Sequence, residues 1–532
     1  MKPRFEYDAQ GPSILGDGWY CMYKTQEPVS FKIDHFETAM LNVIRQPNIN
    51  STVILRADML KEWLYDVKTG ERLSYEAQNY EVTDADAQTI NLDDLEIRQV
   101  KVHPDLGLSI KRAMVRRIIP RNPYKDAIIN QTCLVMNSRQ FDETSLIVYT
   151  PHFERKEQCP FYIPQVRVVA ILLHKGQLSV HYIPFEIEDV AELHDETQRV
   201  VRTALRLLQT AHKHSTGVKA GYEKKVTHDL VVNKVAFQDR YIALKKKYSR
   251  FLVDNWAEST DPKKHVFEDI AIAAFLIELW IKVYGNNFKE KVEFRDLGCG
   301  NGVLCYLLIS EGIRGIGIDA RQRKSWKIYP AEVQNQLKEQ VIIPAILLRP
   351  HPQVKKRAPQ LEHNGRFFPI QVHDKIAPAT VLYSSADLLK SPHVNITEFP
   401  RDTFIIGNHS DELTCWIPLL GYPFMVIPCC SHNFSGQRMR YGVRKDQNKS
   451  SNSTYAGLVD RVEYVAARVG WEIEKEMLRI PSTRNAAIIG INNAHLPSWP
   501  TQEVYDTILD DGGADGWVEN TMALMKRSPR GH

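Results

Sequence analysis

Short apolar runs alternate with helical patterns through the second half of the chain. The runs predict strands at residues 292–294, 315–318, 380–383, 403–406 and 424–427. A helix is predicted near residues 455–469, and a closing pair of strands near 471–479 and 486–491 is close enough in sequence to be antiparallel. Alternating strands and helices form a parallel, doubly wound sheet. We therefore predict an α/β domain over residues 261–492.

The preceding part of the chain has the pattern of an antiparallel sheet. Apolar runs predict strands at residues 145–149, 166–173 and 178–183. The last two are joined across Lys175 and Gly176, which is typical of a hairpin turn. Helical spacing follows at 187–212 and 237–256. These elements predict an α+β domain over residues 106–260, with its last helices bridging to the next domain.

The two ends of the chain carry weaker patterns. Residues 1–105 mix short apolar pieces with polar stretches, and the sequence does not identify their role. Residues 493–532 contain Pro497, Pro500 and the run 510–513, Asp-Asp-Gly-Gly. This composition predicts a loosely attached C-terminal tail.

A glycine-rich segment follows the first strand of the α/β domain, with Asp296, Gly298, Gly300 and Gly302 before an apolar helical run. Glycines let a strand turn sharply into a helix and let backbone N–H groups approach a ligand. A second strand ends in Asp319, about 20 residues further on, where an acidic side chain in a βαβ unit accepts ribose hydroxyls. The pair predicts a nucleoside-bearing cofactor.

The glycine spacing favours one class of cofactor. A dinucleotide fingerprint needs G-x-G-x-x-G, but Val303 follows Gly302 here and the pattern is G-x-G-x-G. It resembles motif I of class I S-adenosylmethionine (SAM) methyltransferases. The alternative is a tight strand-to-helix turn in some other α/β protein.

Polar residues follow the later strands, where the ligand of an open α/β sheet binds. After 380–383, Asp387 could accept a hydrogen bond from an adenine amino group and Ala386 leaves room for the ring, although a helix N-cap is an equal interpretation. After 403–406 comes the densest polar cluster, Asn408, His409, Ser410, Asp411 and Glu412. Helix capping would explain any one of these residues, but their position at the ligand end of the sheet favours chemistry.

Two adjacent cysteines, Cys429 and Cys430, follow the fifth strand. With His409 and His432 they could be imagined as a metal site, but they lack ligand spacing, so packing thiols are favoured and no metal is expected. The eight cysteines of the chain contain no C-x-x-C pair, which fits a reducing compartment.

Composition restricts the remaining possibilities. The net charge is only +4, so a polyanion must be bound by local patches. Residues 1–6 contain no apolar signal region, and the apolar stretch 267–284 holds four charged residues, too many for a membrane span. A cytoplasmic protein without a membrane contact is expected.

Several sequence blocks together resemble the tRNA (uracil-2′-O-)-methyltransferase family. They are residues 119–123, 159–164, 236–241, 261–269, 296–302, 317–326, 407–414 and 427–430. The resemblance runs from about residue 112 to 491. Cys415 stands where the family pattern has proline, and the zinc-finger tail of some members is absent.

This resemblance implies a Rossmann-like class I methyltransferase sheet after an N-terminal α+β domain. It also implies methyl transfer from SAM to the ribose 2′-hydroxyl of a uridine in tRNA, at position 44 of serine tRNAs. A ribose hydroxyl is a weak acid, so its proton must be withdrawn as the new bond forms. The expected proton acceptors are His409, Asp411 and Glu412, with Lys264 or Lys324 stabilising the developing alkoxide.

The expected binding residues fall into two groups. Those for SAM are Asp296, Gly298, Gly300, Gly302, Asp319, Ala386, Asp387 and Asn408. Those for tRNA are Lys264, Arg321, Arg323, Lys324, Trp326, Arg438 and Arg440. A further basic stretch lies at residues 111–125, and the stretch that contains Arg438 and Arg440 continues to Lys449. Any one of these patches is as readily a solvated face.

Two other functions remain open from the sequence. The chain could be a SAM-dependent protein methyltransferase, or a non-catalytic RNA-binding protein that retains the fold. The intact glycines, Asp319 and the cluster at 408–412 argue against a decayed site. The sequence identifies no protein partner.

Overall fold

The computed structural model describes residues 3–9, 13–77, 86–141, 143–222, 228–372, 379–444 and 453–525. The chain divides into two compact units, Met1–Lys224 and Lys225–His532. Within the described ranges, no helix is both long and apolar enough to cross a bilayer.

The first unit combines a large antiparallel sheet with helices. Its strands are β1 Phe5–Tyr7, β2 Tyr20–Thr25, β3 Ile54–Tyr65, β4 Arg72–Ala77, β5 Thr89–Ile90, β6 Leu108–Pro120, β7 Ile128–Ser138, β8 Thr144–Pro151, β9 Val168–His174 and β10 Gln177–Ile183. Its helices are α1 Ile33–Arg45, α2 Val190–Leu193 and α3 Arg199–Lys219. The main path of the sheet is β1-β2-β10-β9-β8-β7-β6-β3-β4, and β5 pairs with β7.

Helices α1 and α3 cover one face of this sheet. Helix α3 buries Val201, Ala204 and Leu208, which share a core with sheet residues such as Ile171 and Val180. Burial of such apolar faces is the main stabilising contribution. The predicted hairpin across Lys175 and Gly176 is present, with Gln177 opposite His174. Because β2 pairs with β10, the expected boundary at residue 105 falls inside a single sheet.

The second unit holds the remaining elements. Its strands are β11 Glu293–Leu297, β12 Gly315–Asp319, β13 Leu337–Glu339, β14 Val341–Ile342, β15 Phe367–Val372, β16 Ala379–Ser384, β17 Val394–Asn395, β18 Thr403–Asn408, β19 Phe424–Ile427, β20 Trp471–Met477 and β21 Ala486–Asn493. Its helices are α4 Lys234–Asp254, α5 Pro262–Tyr284, α6 Phe288–Lys291, α7 Val303–Ser310, α8 Ala331–Gln334, α9 Pro352–Arg357, α10 Ser385–Lys390, α11 Thr454–Arg468, α12 Gln502–Asp510 and α13 Trp517–Leu524.

A seven-stranded sheet with the order β13-β12-β11-β18-β19-β21-β20 forms the centre of this unit. Its first five strands are parallel, whereas β21 is antiparallel to both β19 and β20. The carboxyl ends of β11, β12, β13, β18 and β19 therefore lie along one edge. Helix α5 is buried along most of its length and contributes Trp280, packed edge-on against Phe404 of β18.

The strand expected at residues 380–383 lies elsewhere. It belongs to β16, which pairs only with β15 in a two-stranded antiparallel ribbon. The third strand of the central sheet is instead β13, Leu337–Glu339. Three residues with one buried side chain, Leu337, are too few to produce a recognisable strand pattern.

The C-terminal segment is packed against the second unit, contrary to the expected loose tail. Val504 and Ile508 of α12 and Trp517 of α13 are buried in the same core as Phe424 and Ile488 of the sheet. The proline and glycine residues mark turns between these helices, but they do not indicate what the helices pack against. The expected boundary at 492 therefore falls within a continuous core.

Candidate active site

The glycine segment forms a sharp turn between β11 and α7. Gly298, Gly300 and Gly302 have positive φ values of 81°, 52° and 77°, a region that other residues rarely adopt. A Cβ at Gly298 would lie 3.4 Å from Ser410, whereas a Cβ at Gly300 would meet nothing within 4 Å. The backbone at Gly300 is therefore directly open to a ligand.

Asp319 joins this turn to the next strand. Its carboxylate accepts hydrogen bonds from the backbone N–H of Gly300 at 2.9 Å and of Arg321 at 3.1 Å. From the other side, the indole of Trp326 donates to the carbonyl of Gly300 at 2.9 Å and the hydroxyl of Tyr329 donates to the carbonyl of Asn301 at 2.9 Å. These contacts hold the turn in one conformation, as a preformed ligand site requires.

A cleft of about 510 Å³ lies at the carboxyl edge of the central sheet. The glycine turn, Asp319 and the segment 408–413 after β18 contribute to its wall. Further wall residues come from α5 and the residues before it, from the segments after β13 and β19, from the loop between β20 and β21, and from α13. These include Glu258, Lys264, Glu268, Asp269, Gln340, Ile342, Cys429, Cys430, Arg484, Trp517 and Thr521.

Two acidic residues of α5 contact the last residue of β18 and the residue after it. The amide of Asn408 donates to Asp269 Oδ1 at 2.9 Å, and His409 Nε2 lies 3.0 Å from Glu268 Oε1. Both carboxylates are nearly buried. The helix therefore positions the polar cluster that follows the fourth strand of the sheet.

Two buried carboxyl groups, Asp269 in the cleft wall and Asp296 in β11, have raised pKa values. Burial raises the pKa of Asp296 to about 7, and the charge of Asp319 adds to this effect. Burial also raises the pKa of Asp269 well above its usual range, with further contributions from Glu268 and Asp296. A positively charged ligand nearby would stabilise the ionised forms of these groups.

A thiol and a carboxylate meet at the far side of the cleft. Cys429 Sγ donates to Asp411 Oδ1 at 3.0 Å, and Arg484 Nη1 lies 3.8 Å from Cys430 Sγ. Asp411, like His409, is a non-glycine residue with positive φ, 45°. Backbone strain of this kind often occurs at functional sites.

The structure brings most of the predicted site residues to this cleft. They are Gly298, Gly300, Asp319, Asn408, His409, Asp411, Glu412, Lys264, Arg321, Arg323 and Arg438. Asp296 is buried near the end of β11 and Gly302 is the last glycine of the turn, but neither lines the cleft. Lys324 and Arg440 are exposed and also lie outside its wall.

Ala386 and Asp387 are not at the cleft, because the strand before them is not part of the central sheet. Asp387 is exposed, and its carboxylate accepts from the backbone N–H of Ser384 at 2.8 Å in a capping box at the start of α10. The N-cap itself is Ser384, and Asp387 is the third residue of the helix, so its role is helix capping but not that of the N-cap considered above. The capping bonds also lower the pKa of Asp387.

Trp326 does not present its ring to a nucleic acid. It is 4% exposed and supports the glycine turn from within. In the first unit, the basic stretch at 111–125 also includes paired and buried side chains. Lys111 Nζ lies 2.6 Å from Glu37, and the buried Arg116 guanidinium donates to Gln131 at 2.7 Å. Lys449 lies outside the described residues.

Several wall residues were missed from the sequence. Glu268 and Asp269 lie in the buried helix α5, and the neighbouring apolar residues in the sequence provided no indication of a site. Gln340, Val341 and Ile342 follow the short β13, and Trp517 and Thr521 come from the segment expected to be loose. The apolar pair Val341-Ile342, which stands before Ile343 and shortly after β13, was the available sequence signal for the end of the third strand.

The residues present fit SAM. The glycine turn offers open backbone, Asp319 offers a carboxylate for ribose hydroxyls, and the acidic groups suit a positively charged sulfur. Asn408 Oδ1 and Ser410 Oγ are buried at the cleft without a hydrogen-bond partner among the described residues, which indicates polar groups that a ligand would satisfy. Fold and site define a SAM-dependent methyltransferase.

Comparison with known proteins agrees with the assignment to the SAM-dependent methyltransferases. Residues 3–225 match a family model described as "TRM44-like, N-terminal bet v1-like domain", and residues 231–344 match one described as "Predicted AdoMet-dependent methyltransferase". The tRNA (uracil-O(2)-)-methyltransferase of Saccharomyces cerevisiae is 64% identical over 551 residues, covering 100% of this chain and 97% of that protein. The Kluyveromyces lactis protein of the same name is 67% identical, covering 99% of each chain.

A more distant relative shows the same full-length correspondence. The tRNA (uracil-O(2)-)-methyltransferase of Schizosaccharomyces pombe is 36% identical over 512 residues, covering 93% of this chain and 91% of that protein. The chain belongs to the tRNA (uracil-O(2)-)-methyltransferase family.

Proposed function

We propose that the protein methylates the ribose 2′-hydroxyl of uridine 44 in serine tRNAs. Family membership supplies the activity, SAM-dependent 2′-O-methylation of a uridine in tRNA. The position and the serine tRNAs come from the sequence resemblance. The observation that carries the proposal is the meeting of the glycine turn, Asp319 and the cluster at 408–412 in one cleft.

The second unit is a Rossmann-like class I methyltransferase fold. Its parallel strands, its central β11 followed by the glycine turn, and its antiparallel β21 support this assignment. In such a sheet the ligand lies beyond the carboxyl ends of the strands. The cleft occupies this position.

Each group of cleft residues has a role in this reaction. The glycine turn, Asp319 and Asn408 hold SAM, which supplies a methyl group on a positively charged sulfur. His409, Asp411 and Glu412 present proton acceptors beside it. Lys264, Arg321, Arg323 and Arg438 lie at the same cleft and attract phosphate.

A methylation assay with nucleotide mapping tests the proposal. The protein is incubated with methyl-labelled SAM and either a serine tRNA transcript with uridine at position 44 or the same transcript with cytidine there. We expect label in 2′-O-methyluridine at position 44 of the first transcript and none in the second. Label at another uridine would reject the position, and label in the protein fraction alone would favour a protein substrate.

A further inference from the structure

The contact between His409 and Glu268 is unlike a surface ion pair. His409 Nε2 lies 3.0 Å from Glu268 Oε1, and the Glu268 side chain is only 8% exposed. Glu268 comes from the buried helix α5, so its position is set by packing. An ionised carboxylate has no proton to donate and can only accept a hydrogen bond, so the proton of the contact belongs to Nε2 of the ring.

The other ring nitrogen has no partner within the described chain. His409 Nδ1 is buried and makes no hydrogen bond. With the proton of a neutral ring on Nε2, Nδ1 is an acceptor. An unpaired buried acceptor is destabilising, so such groups in folded proteins usually have a functional explanation.

The backbone conformation of His409 is a second energetically unfavourable feature. Its φ of 52° is in the left-handed region, which non-glycine residues seldom adopt. Asp411 shares this backbone conformation, but the unpaired nitrogen and the contact with a buried carboxylate distinguish His409 from both Asp411 and Glu412, the other two acceptors expected from the sequence.

We infer that His409 is the proton acceptor of the methyl transfer and that Glu268 is its positioning residue. This inference rests on the proposed function. The ribose O–H proton moves to His409 Nδ1, the oxygen forms its bond to the methyl carbon, and the electron pair of the broken carbon–sulfur bond stays on sulfur. Glu268 keeps the proton on Nε2 and stabilises the imidazolium that results.

Access to Nδ1 requires a small movement of the ring. The His409 side chain is 28% exposed at the cleft, but Nδ1 itself is shielded from solvent. In the proposed mechanism the ring turns slightly while Nε2 keeps its contact with Glu268, since catalytic hydrogen bonds often align only in the complex with substrate.

Four variants test the two roles: His409→Ala, Glu268→Ala, Glu268→Gln and Glu278→Gln. Glu278 is the matched control, because it lies on the same helix and pairs instead with Arg240 at 2.8 Å. Circular dichroism and SAM titration calorimetry establish that each variant folds and binds SAM. The ¹⁵N spectrum of histidine-labelled protein, assigned with His409→Ala, reports which ring nitrogen is protonated.

We expect the His409 ring to carry its proton on Nε2 in the native protein, in Glu268→Gln and in Glu278→Gln, because a glutamine oxygen can also accept. In Glu268→Ala both tautomers should appear. Single-turnover methylation should fall at least 100-fold in His409→Ala and Glu268→Ala, about tenfold in Glu268→Gln, and remain unchanged in Glu278→Gln.

Two results would overturn the inference. One is methylation at the native rate by a folded, SAM-binding His409→Ala protein; the other is an Nε2-protonated ring that persists in Glu268→Ala. In either case the native protein would still make 2′-O-methyluridine. A native protein that makes none would reject the proposed function instead.

Discussion

At the scale of single residues, the glycine turn shows how backbone conformation creates the binding site. Gly300 combines a positive φ of 52° with open space where a side chain would point. A side chain at this position would strain the backbone and would also enter the cleft, which are separate effects. Substitution of a glycine that has a similar φ but lies outside the cleft can separate them.

Gly300→Val should weaken SAM binding at least tenfold in titration calorimetry, because the new side chain occupies the cleft. The left-handed backbone should also cost about 1–2 kcal/mol of stability. Gly365→Val is the control, since Gly365 has a φ of 75°, also has nothing within 4 Å of its ideal Cβ, and is not in the cleft wall. It should lose similar stability and bind SAM normally. Equal SAM binding by both variants would place the cofactor elsewhere.

The buried Asp296 makes stability depend on pH. Its pKa is raised from 3.8 to about 7 by burial, so between these values the folded chain holds a proton that the unfolded chain has released. Stability from this group is therefore present below pH 4 and is lost as the pH rises towards 7. The loss is about 4 kcal/mol at most.

Asp296→Asn should remove this loss, because the neutral amide does not ionise. Thermal melting of the ligand-free variant should differ least from the native protein below pH 4 and should exceed it at pH 8. Asp254→Asn, at a side chain that is 63% exposed, is the control and should not change the pH profile. A native advantage at pH 8 would contradict the assignment.

At the scale of elements, α13 extends the core of the second unit to the cleft wall. Trp517 is 2% exposed, packs 5.3 Å from the ring of Trp416, and donates to the carbonyl of Ile342 at 3.1 Å. Ile342 follows the third strand of the central sheet and lines the cleft. Loss of this helix should therefore affect both stability and SAM binding.

Trp517→Ala should destabilise the second unit by about 3–5 kcal/mol, the usual cost of removing a buried tryptophan. Denaturant unfolding followed by circular dichroism measures this change. Leu509→Ala in the preceding helix is the control, because Leu509 is 68% exposed and its truncation should cost less than about 0.5 kcal/mol. Similar losses in both variants would mean that α13 is weakly attached.

At the scale of the whole molecule, the net charge is only +4, so tRNA binding depends on local groups of cationic side chains. Arg323 and Arg438 line the cleft, whereas several basic residues of the first unit are paired with Glu37 or Glu62. Removal of a cation that contacts phosphate reduces the number of counterions released on binding. The salt dependence of affinity therefore tests which cations contact RNA.

Arg323→Ala and Arg438→Ala should each weaken tRNA binding and reduce the slope of log affinity against log salt by about one. Filter binding across a salt series measures both quantities. Lys390→Ala at the end of α10, outside the cleft wall, should leave the slope unchanged. An unchanged slope in the two arginine variants would place tRNA on another surface.

Local pattern was sufficient for the main features of the second unit. The glycine turn, Asp319, α11 and the closing antiparallel strands were all predicted, because each depends on residues that are near one another in sequence. The cluster at 408–412 was predicted to face the ligand because it follows a strand of a parallel sheet. The sequence resemblance further indicated the family and its activity.

Long-range packing decided the rest. The sequence alone determined the longer strands and helices of the second unit, the glycine turn between β11 and α7, and the class of cofactor that the glycine spacing suits. Only the tertiary structure selected β13 as the third strand, brought Glu268 beside His409, turned Trp326 inward and placed Trp517 at the cleft. These choices depend on contacts between residues distant in sequence, and local patterns do not encode the partner of a buried side chain.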